Sequence, residues 1–426
     1  MKSVKNKYSI NNLANKKNET IIAPFTIRFM KDILLKKIKK LDYGFLSITD
    51  GGENFSFGDS ASKIKSKITI NSSKFYSKVF SRGSMGATES YIDGDWFCDD
   101  LVSLCQILIK NKITSDNLEK GFVFLTKPLI WVFMRLSPNT RFGSRKNIIA
   151  HYDLSNEFFK LFLDKTMTYS CAYFKDVNNS LEDAQVEKFD RLCRKLNLKE
   201  NDKVLEIGSG WGGFAIHAVS KYRCHVTTTT ISNEQYNYTS QRIKELGLEN
   251  KITLLKKDYR DLDGQFDKII SIEMIEAVGS NYVSKYLNKC DSLLKTDGMM
   301  ALQGITINDQ GFESYIKGTD FLRKYIFPGG SLISISQITK HLKNHTKMKI
   351  FHLEDISLHY ALTLNKWREN FFKKIEEVHS LGFSQNFINL WDFYLASCEA
   401  AFLEQHTGDY QIIFSKPNNK TFNINY

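Results

Sequence analysis

The 426-residue sequence predicts an α/β protein: a mostly parallel seven-stranded sheet with crossover helices, preceded by a smaller N-terminal α+β domain. Three observations carry this prediction. From Lys203 to Ile307, apolar runs of strand length alternate with helical patterns, the rhythm of a parallel sheet. At the head of that region VLEIGSGWGGFA (204–215) reads as strand, tight turn and helix, with Gly208, Gly210, Gly212 and Gly213 at the turn. Finally, residues 1–150 hold 25 Lys and Arg against 13 Asp and Glu while residues 151–426 hold 34 of each, so the whole excess of +12 lies in the first third.

In chain order, residues 1–20 are rich in Lys and Asn and read as a polar tail without the apolar core of a signal peptide. FTIRFMKDILLKKIKK (25–40) sets Phe25, Phe29, Ile33 and Leu34 near one helical face with lysines elsewhere, a pattern suited first to core packing and second to a membrane interface. FLSITD, NFSFGD and SKITI, between residues 44 and 70, alternate apolar with polar as short strands do, with a turn at Gly51 and Gly52. From Lys74 through Leu108 the pattern is helical. GFVFLTKPLIWVFMRL (121–136) is the most apolar stretch, but it is short for a membrane span and carries Lys127 and Pro128. The basic run Arg141–Lys146 then leads to a boundary near residue 148. Residues 1–148 are thus expected to form a basic, membrane-associating domain and 149–426 the catalytic one.

Residues 151–174 read as a helix and a polar turn, and Leu181–Leu196 as a second helix. Strands KVLEIG, CHVTTTT, KITLLKKD, FDKIISIE and MMALQGITI then alternate with helices 213–222, 233–247 and 281–294. Two late strands, near 349–357 and 410–416, close the sheet, with helices 360–380 and 384–404 between them.

A hydrophobic fraction of 42% and a charged fraction of 25% exclude a disordered chain. Basic charge confined to one segment suits a polyanion, and with no nucleic-acid module beside it an anionic membrane surface is the better match. The seven cysteines, at 98, 105, 171, 193, 224, 290 and 398, form no C-x-x-C and no metal-ligand spacing, as expected of reduced thiols in a cytoplasmic protein without a structural metal.

Gly208, Gly210 and Gly213 fit the dinucleotide spacing G-x-G-x-x-G, but a nicotinamide site also wants an acid roughly 20 residues further on to hold the ribose. There the chain reads CHVTTTTISNEQ, with no acid from Cys224 to Asn233. The turn therefore reads as the S-adenosylmethionine (SAM) loop of a Rossmann-like, class I methyltransferase domain, with the acid ending the strand, Glu206, counted in the cofactor site.

Beyond this loop, HYDLSNEFF, TYSCAYF, TISNEQ, KDYRDL, SIEMIEAVG, YIFPGG and HYALTLNKW follow one order along residues 150–416, joined by ESYIDGDWFCDDL (89–101). With these motifs the sequence resembles the cyclopropane-fatty-acid-phospholipid synthases, SAM-dependent enzymes related to the mycolic acid cyclopropane synthases. The resemblance implies that Tyr169, Ser170, Gly208, Gly210, Thr230, Gln235, Asp258 and Tyr259 hold SAM, with Thr230 and Gln235 serving the ribose and Tyr259 the adenine. It implies catalysis by Cys171, Glu276 and Tyr360 around a bound bicarbonate that deprotonates a carbocation. Gln303 and Ala277 stand where the family has His, and an amide does not titrate near neutral pH, so this departure bears on bicarbonate binding and on the fate of the cation.

The expected activity is cyclopropanation of unsaturated phospholipid acyl chains at the inner membrane face, by a chain that admits a homodimer. Alternatives are a methyl- or methylene-branching enzyme, an amine methyltransferase, or a lipid-binding protein without turnover.

Overall fold

The computed structural model describes residues 25–111 and 154–421. The polar tail, the apolar stretch 121–136, the basic run Arg141–Lys146, the boundary near 148 and the first three residues of HYDLSNEFF lie outside the described residues.

The elements in chain order are α1 (Phe25–Ile38), β1 (Phe45–Asp50), β2 (Glu53–Gly58), β3 (Lys65–Ile70), α2 (Lys74–Ile92), β4 (Trp96–Cys98), α3 (Leu101–Lys110), α4 (Asn156–Lys160), α5 (Leu181–Lys195), β5 (Lys203–Ile207), α6 (Gly213–Tyr222), β6 (His225–Thr229), α7 (Asn233–Glu245) and β7 (Ile252–Leu255). They continue with β8 (Phe266–Ile272), α8 (Ile275–Val278), α9 (Val283–Leu293), β9 (Leu294–Ile307), α10 (Phe312–Lys317), α11 (Phe321–Tyr325), α12 (Ile335–His345), β10 (Lys349–Asp355), α13 (Ser357–Lys373), α14 (Ile375–Ser380), α15 (Gln385–Leu403) and β11 (Thr407–Ser415). Local chemistry starts many of the helices. Side chains of Asp100, Ser155, Ser180, Ser232, Ser334 and Ser384 each accept from a first-turn backbone N–H of the helix that follows.

The described residues divide into two compact units, one of residues 25–111, 320–326 and 367–404, the other of 154–319, 327–366 and 405–421. In the first, four strands in the order β2-β1-β3-β4 pair with β1 and β3 parallel and the rest antiparallel. Strand β4 interrupts what the sequence presents as one helical stretch from Lys74 to Leu108. Gly94, at φ +75°, turns the chain so that Trp96 and Cys98 pair with Ile70 and Ile68. Helix α1 also departs from expectation, for Leu34 and Leu35 enter the core while Phe25 and Phe29 are 85% and 54% exposed. Ala396 and Ala400 of α15 belong to the core of this first unit.

The second unit is the seven-stranded sheet, ordered β10-β11-β9-β8-β5-β6-β7, with β11 antiparallel to both neighbours and the other pairs parallel. Side-chain alternation along the strands sorts its core into two layers. Leu205, Ile207, Ile269, Met300, Leu302 and Ile412 enter one, and Val204, Ile270, Met299, Ala301 and Ile413 the other. Strand order reverses direction between β5 and β8, which places a ligand crevice at the carboxyl ends of these strands.

Candidate active site

The glycine loop leaves β5 at that edge. Backbone N–H groups of Gly208 and Ser209 both donate to Thr229 O, at 3.1 and 2.8 Å, which folds the loop onto the end of β6. Gly208 and Gly210 have φ of +97° and +49°, values that favour glycine. A Cβ on Gly208 would sit 3.1 Å from Met274 Cγ, whereas one on Gly210 would meet nothing within 4 Å. Gly210 thus presents bare backbone to open space, as a SAM cradle requires. Beside it Phe159 packs on Tyr169 and Trp211, with ring centroids 5.3 and 4.9 Å away, forming an apolar wall.

The other expected cofactor residues gather at the same edge. After β6, Thr230 Oγ1 donates to Gln235 Oε1 at 2.9 Å, which orients the Gln235 amide. After β7, Asp258 accepts from Arg260 Nε and Nη2 at 2.8 and 2.7 Å, and the Tyr259 ring packs edge-on against Tyr286 at 5.2 Å. Two residues are turned inward. Glu206 accepts from Thr228 Oγ1 within the sheet, and burial pushes its carboxyl up to about 8. Ser170 Oγ accepts from the fully buried Lys188 Nζ at 2.7 Å.

Cys171, Gln303, Tyr360 and Glu276 come together as well, but around a residue that sequence reasoning missed. Glu273 follows β8 with φ +48°, strained for a side-chain-bearing residue. Its Oε1 accepts from Cys171 N at 2.7 Å and from Gln303 Nε2 at 2.9 Å, and its Oε2 accepts from Tyr360 OH at 2.6 Å. The Gln303 orientation is fixed from behind, because Gln411 Nε2 donates to Gln303 Oε1 at 3.0 Å and Lys195 Nζ holds Gln411 Oε1 at 2.8 Å. Cys171 contributes its backbone N–H. Its thiol lies toward the carbonyls of Ala172 and Ile356, held well above the ordinary range by burial.

Two further carboxyls adjoin this one. Glu276 Oε1 accepts from Ile305 N while its Oε2 is buried without a hydrogen-bond partner among the described residues, and burial, then the neighbouring Glu273, pushes it up to about 8. Asp409 lies 3.3 Å from Gln303 Nε2 and is raised well above the carboxylate range by burial, then by Glu273 and Glu276. Glu273 is raised by burial too, but hydrogen bonds from Tyr360, Cys171 N and Gln303, with the charge of Lys188, oppose the rise. Lys188 itself is lowered to about 8 by burial. Glu273 is therefore the carboxyl best equipped to stay ionised.

The bicarbonate site expected from Cys171, Glu276 and Tyr360 needs correction. The Cys171 N–H and Tyr360 hydroxyl already serve the Glu273 carboxylate, and Glu276 points to Ile305 instead. As built, the cage is filled by a side chain, so a free bicarbonate does not fit it. The sequence shows both acids of SIEMIEAVG, but their spacing does not tell which of them the donors reach.

A doubly wound sheet with a bare glycine loop at its switch point, and no acid from Cys224 to Asn233 along and just past β6, defines a SAM-dependent enzyme of the class I methyltransferase fold. The particular family follows from comparison: residues 140–412 match the family model for mycolic acid cyclopropane synthetase, and the chain belongs to that family. The cyclopropane-fatty-acyl-phospholipid synthase of Escherichia coli strain K12 is 35% identical over 82% of this chain and 87% of its own length. The tuberculostearic acid methyltransferase of Mycobacterium tuberculosis strain H37Rv is 35% identical over 78% of this chain and 79% of its own. Among solved structures, mycolic acid cyclopropane synthase CmaA1 complexed with SAH and CTAB covers 65% of this chain and 99% of its own, at 28% identity and a TM-score of 0.57.

Proposed function

We propose that this enzyme transfers a methylene carbon from SAM to the double bond of an unsaturated phospholipid acyl chain, forming a cyclopropane. One observation carries this reading: likeness to the Escherichia coli synthase runs over 82% of the chain, a match long enough that it must extend into the first unit as well as the catalytic one. SAM supplies an electrophilic methyl group on sulfur. The protein's task is to align a weakly nucleophilic alkene with that methyl, exclude water, and keep a proton acceptor beside the resulting cation without a nucleophile that would trap it. The aromatic wall of Phe159, Tyr169 and Trp211 suits the first two demands. The buried, protonated Cys171 thiol suits the last.

Glycine backbone, the Thr230–Gln235 pair and the Tyr259 ring are the proposed SAM contacts. An anionic bilayer is the proposed partner of the first unit, whose helix α1 presents Phe25, Phe29 and the exposed Lys36, followed by the exposed Lys39 and Lys40. Among the described residues no helix is long and apolar enough to cross a membrane. Vesicle binding is accordingly expected to weaken as salt rises, by about 1 kcal/mol for each basic residue released from the surface.

A second reading is a branched product, favoured by the equal identity to the tuberculostearic acid methyltransferase. Incubation with SAM and vesicles of a mono-unsaturated phospholipid, followed by mass spectrometry and proton NMR, separates the two. Ring closure replaces olefinic protons by high-field ring signals, whereas a methylene branch keeps protons on a double bond.

A further inference from the structure

We infer that the Glu273 carboxylate is the enzyme's own general base, built into the anion cage so that no external bicarbonate is needed. This inference rests on the proposed SAM-dependent alkylation of an alkene. Three donors from separate parts of the chain converge on one carboxylate: the Cys171 N–H, the Gln303 amide and the Tyr360 hydroxyl. Gln303 can present only its N–H₂ to Glu273, because Gln411 occupies its carbonyl. A donor set so aimed solvates a negative charge where water does not, keeping a buried carboxylate ionised and ready to accept a proton. The strained backbone at Glu273 fits a residue held in place for such a task.

The step balances without a further reactant. The alkene π pair forms a bond to the SAM methyl carbon as the carbon–sulfur bond breaks and its pair stays on sulfur, leaving S-adenosylhomocysteine and a cation. Glu273 then takes one proton from the transferred methyl, and the freed C–H pair closes the ring. The proton resides on Glu273 and must leave before the next turnover. Gln303 and Tyr360 position the base. A Gln at 303 suffices because the titrating group is Glu273.

The test uses the full-length enzyme with SAM and mono-unsaturated phospholipid vesicles, in degassed buffer under nitrogen with or without added sodium bicarbonate. Wild-type turnover should be the same in both. Glu273→Gln keeps the shape but cannot accept the proton, and should lose on the order of 10²–10⁴-fold in turnover, with SAM affinity by calorimetry unchanged and no response to bicarbonate. Glu273→Gly empties the cage, so bicarbonate should raise its turnover by about tenfold or more. A wild-type enzyme that depends on added bicarbonate, or a Glu273→Gln enzyme that turns over normally, overturns the inference. Failure of the wild type on every unsaturated lipid is a different result: it ends the lipid reading itself, and this inference with it.

Discussion

Two buried charge clusters, one in each unit, are built in opposite ways. In the first, Arg368 Nε donates to Asp392 Oδ1 at 2.6 Å and Tyr91 OH to Asp392 Oδ2 at 2.7 Å, so a buried cation meets a buried carboxylate with the second oxygen also satisfied. Glu89, 1% exposed, likewise faces Arg82, Lys324 and the Tyr325 hydroxyl. In the second unit, the carboxyls of Glu273, Glu276 and Asp409 act on one another, and the buried Lys188 amine acts on Glu273 and Asp409. Balanced pairs tie distant segments of one unit together: α2 to α13 and α15 through Tyr91, Asp392 and Arg368. An excess of carboxyls instead forces protons onto some members and leaves one poised to exchange them. Buried charge serves cohesion where it is neutralised and chemistry where it is not.

The contrast can be broken at either end. The largest loss of stability is expected from Asp392→Ala, which removes the carboxylate hydrogen-bonded to the buried Arg368 and leaves it the neighbouring Glu399 charge, and should cost about 3 kcal/mol, read as a lowered urea midpoint. A loss below about 1 kcal/mol would mean the pair contributes little cohesion. Next comes Tyr360→Phe, which removes one donor from Glu273. Turnover should fall about 10–100-fold with SAM affinity kept, and because a carboxylate that loses a donor ionises less readily, the acid limb of the rate profile should move to higher pH. An unmoved limb would separate Tyr360 from the proton-accepting group.

Glu276→Gln should show the smallest effect, visible as a change in pH dependence. Its carboxyl rises from 4.5 in the unfolded chain to about 8 when folded, so the folded state holds a proton that the unfolded state has released between those values. Wild-type stability relative to Glu276→Gln is therefore greatest below pH 4.5 and should decline as pH rises to about 8, checked by urea denaturation at several pH values. A flat difference would mean that the Glu276 carboxyl ionises in the folded state as it does in the unfolded chain.

What the sequence determined alone is what depends on neighbours along the chain. The glycines at the end of β5, and the alternation of apolar strand-length runs with helical patterns from β5 to β9, are local or periodic signals, and they made the parallel sheet and the SAM loop legible. The motif order was likewise legible, and with it the family. Tertiary structure decided the rest. Residues 320–326 and 367–404 join the first unit although they follow the glycine strand in the chain, because the partners of Tyr325 and Asp392 are Glu89 and Tyr91, more than 200 positions away. Periodicity grouped Phe25, Phe29, Ile33 and Leu34 near one face of helix α1, and packing buried Leu34 with Leu35 while leaving Phe25 and Phe29 exposed. Of the two acids in SIEMIEAVG, spacing cannot say which is solvated by donors. Cys171 N–H, Gln303 and Tyr360 lie 102, 30 and 87 residues from Glu273, and Lys188, Asp409 and Gln411 reach the same cluster from other elements. A carboxyl's charge state is set by what surrounds it in space, and only the folded chain assembles those surroundings.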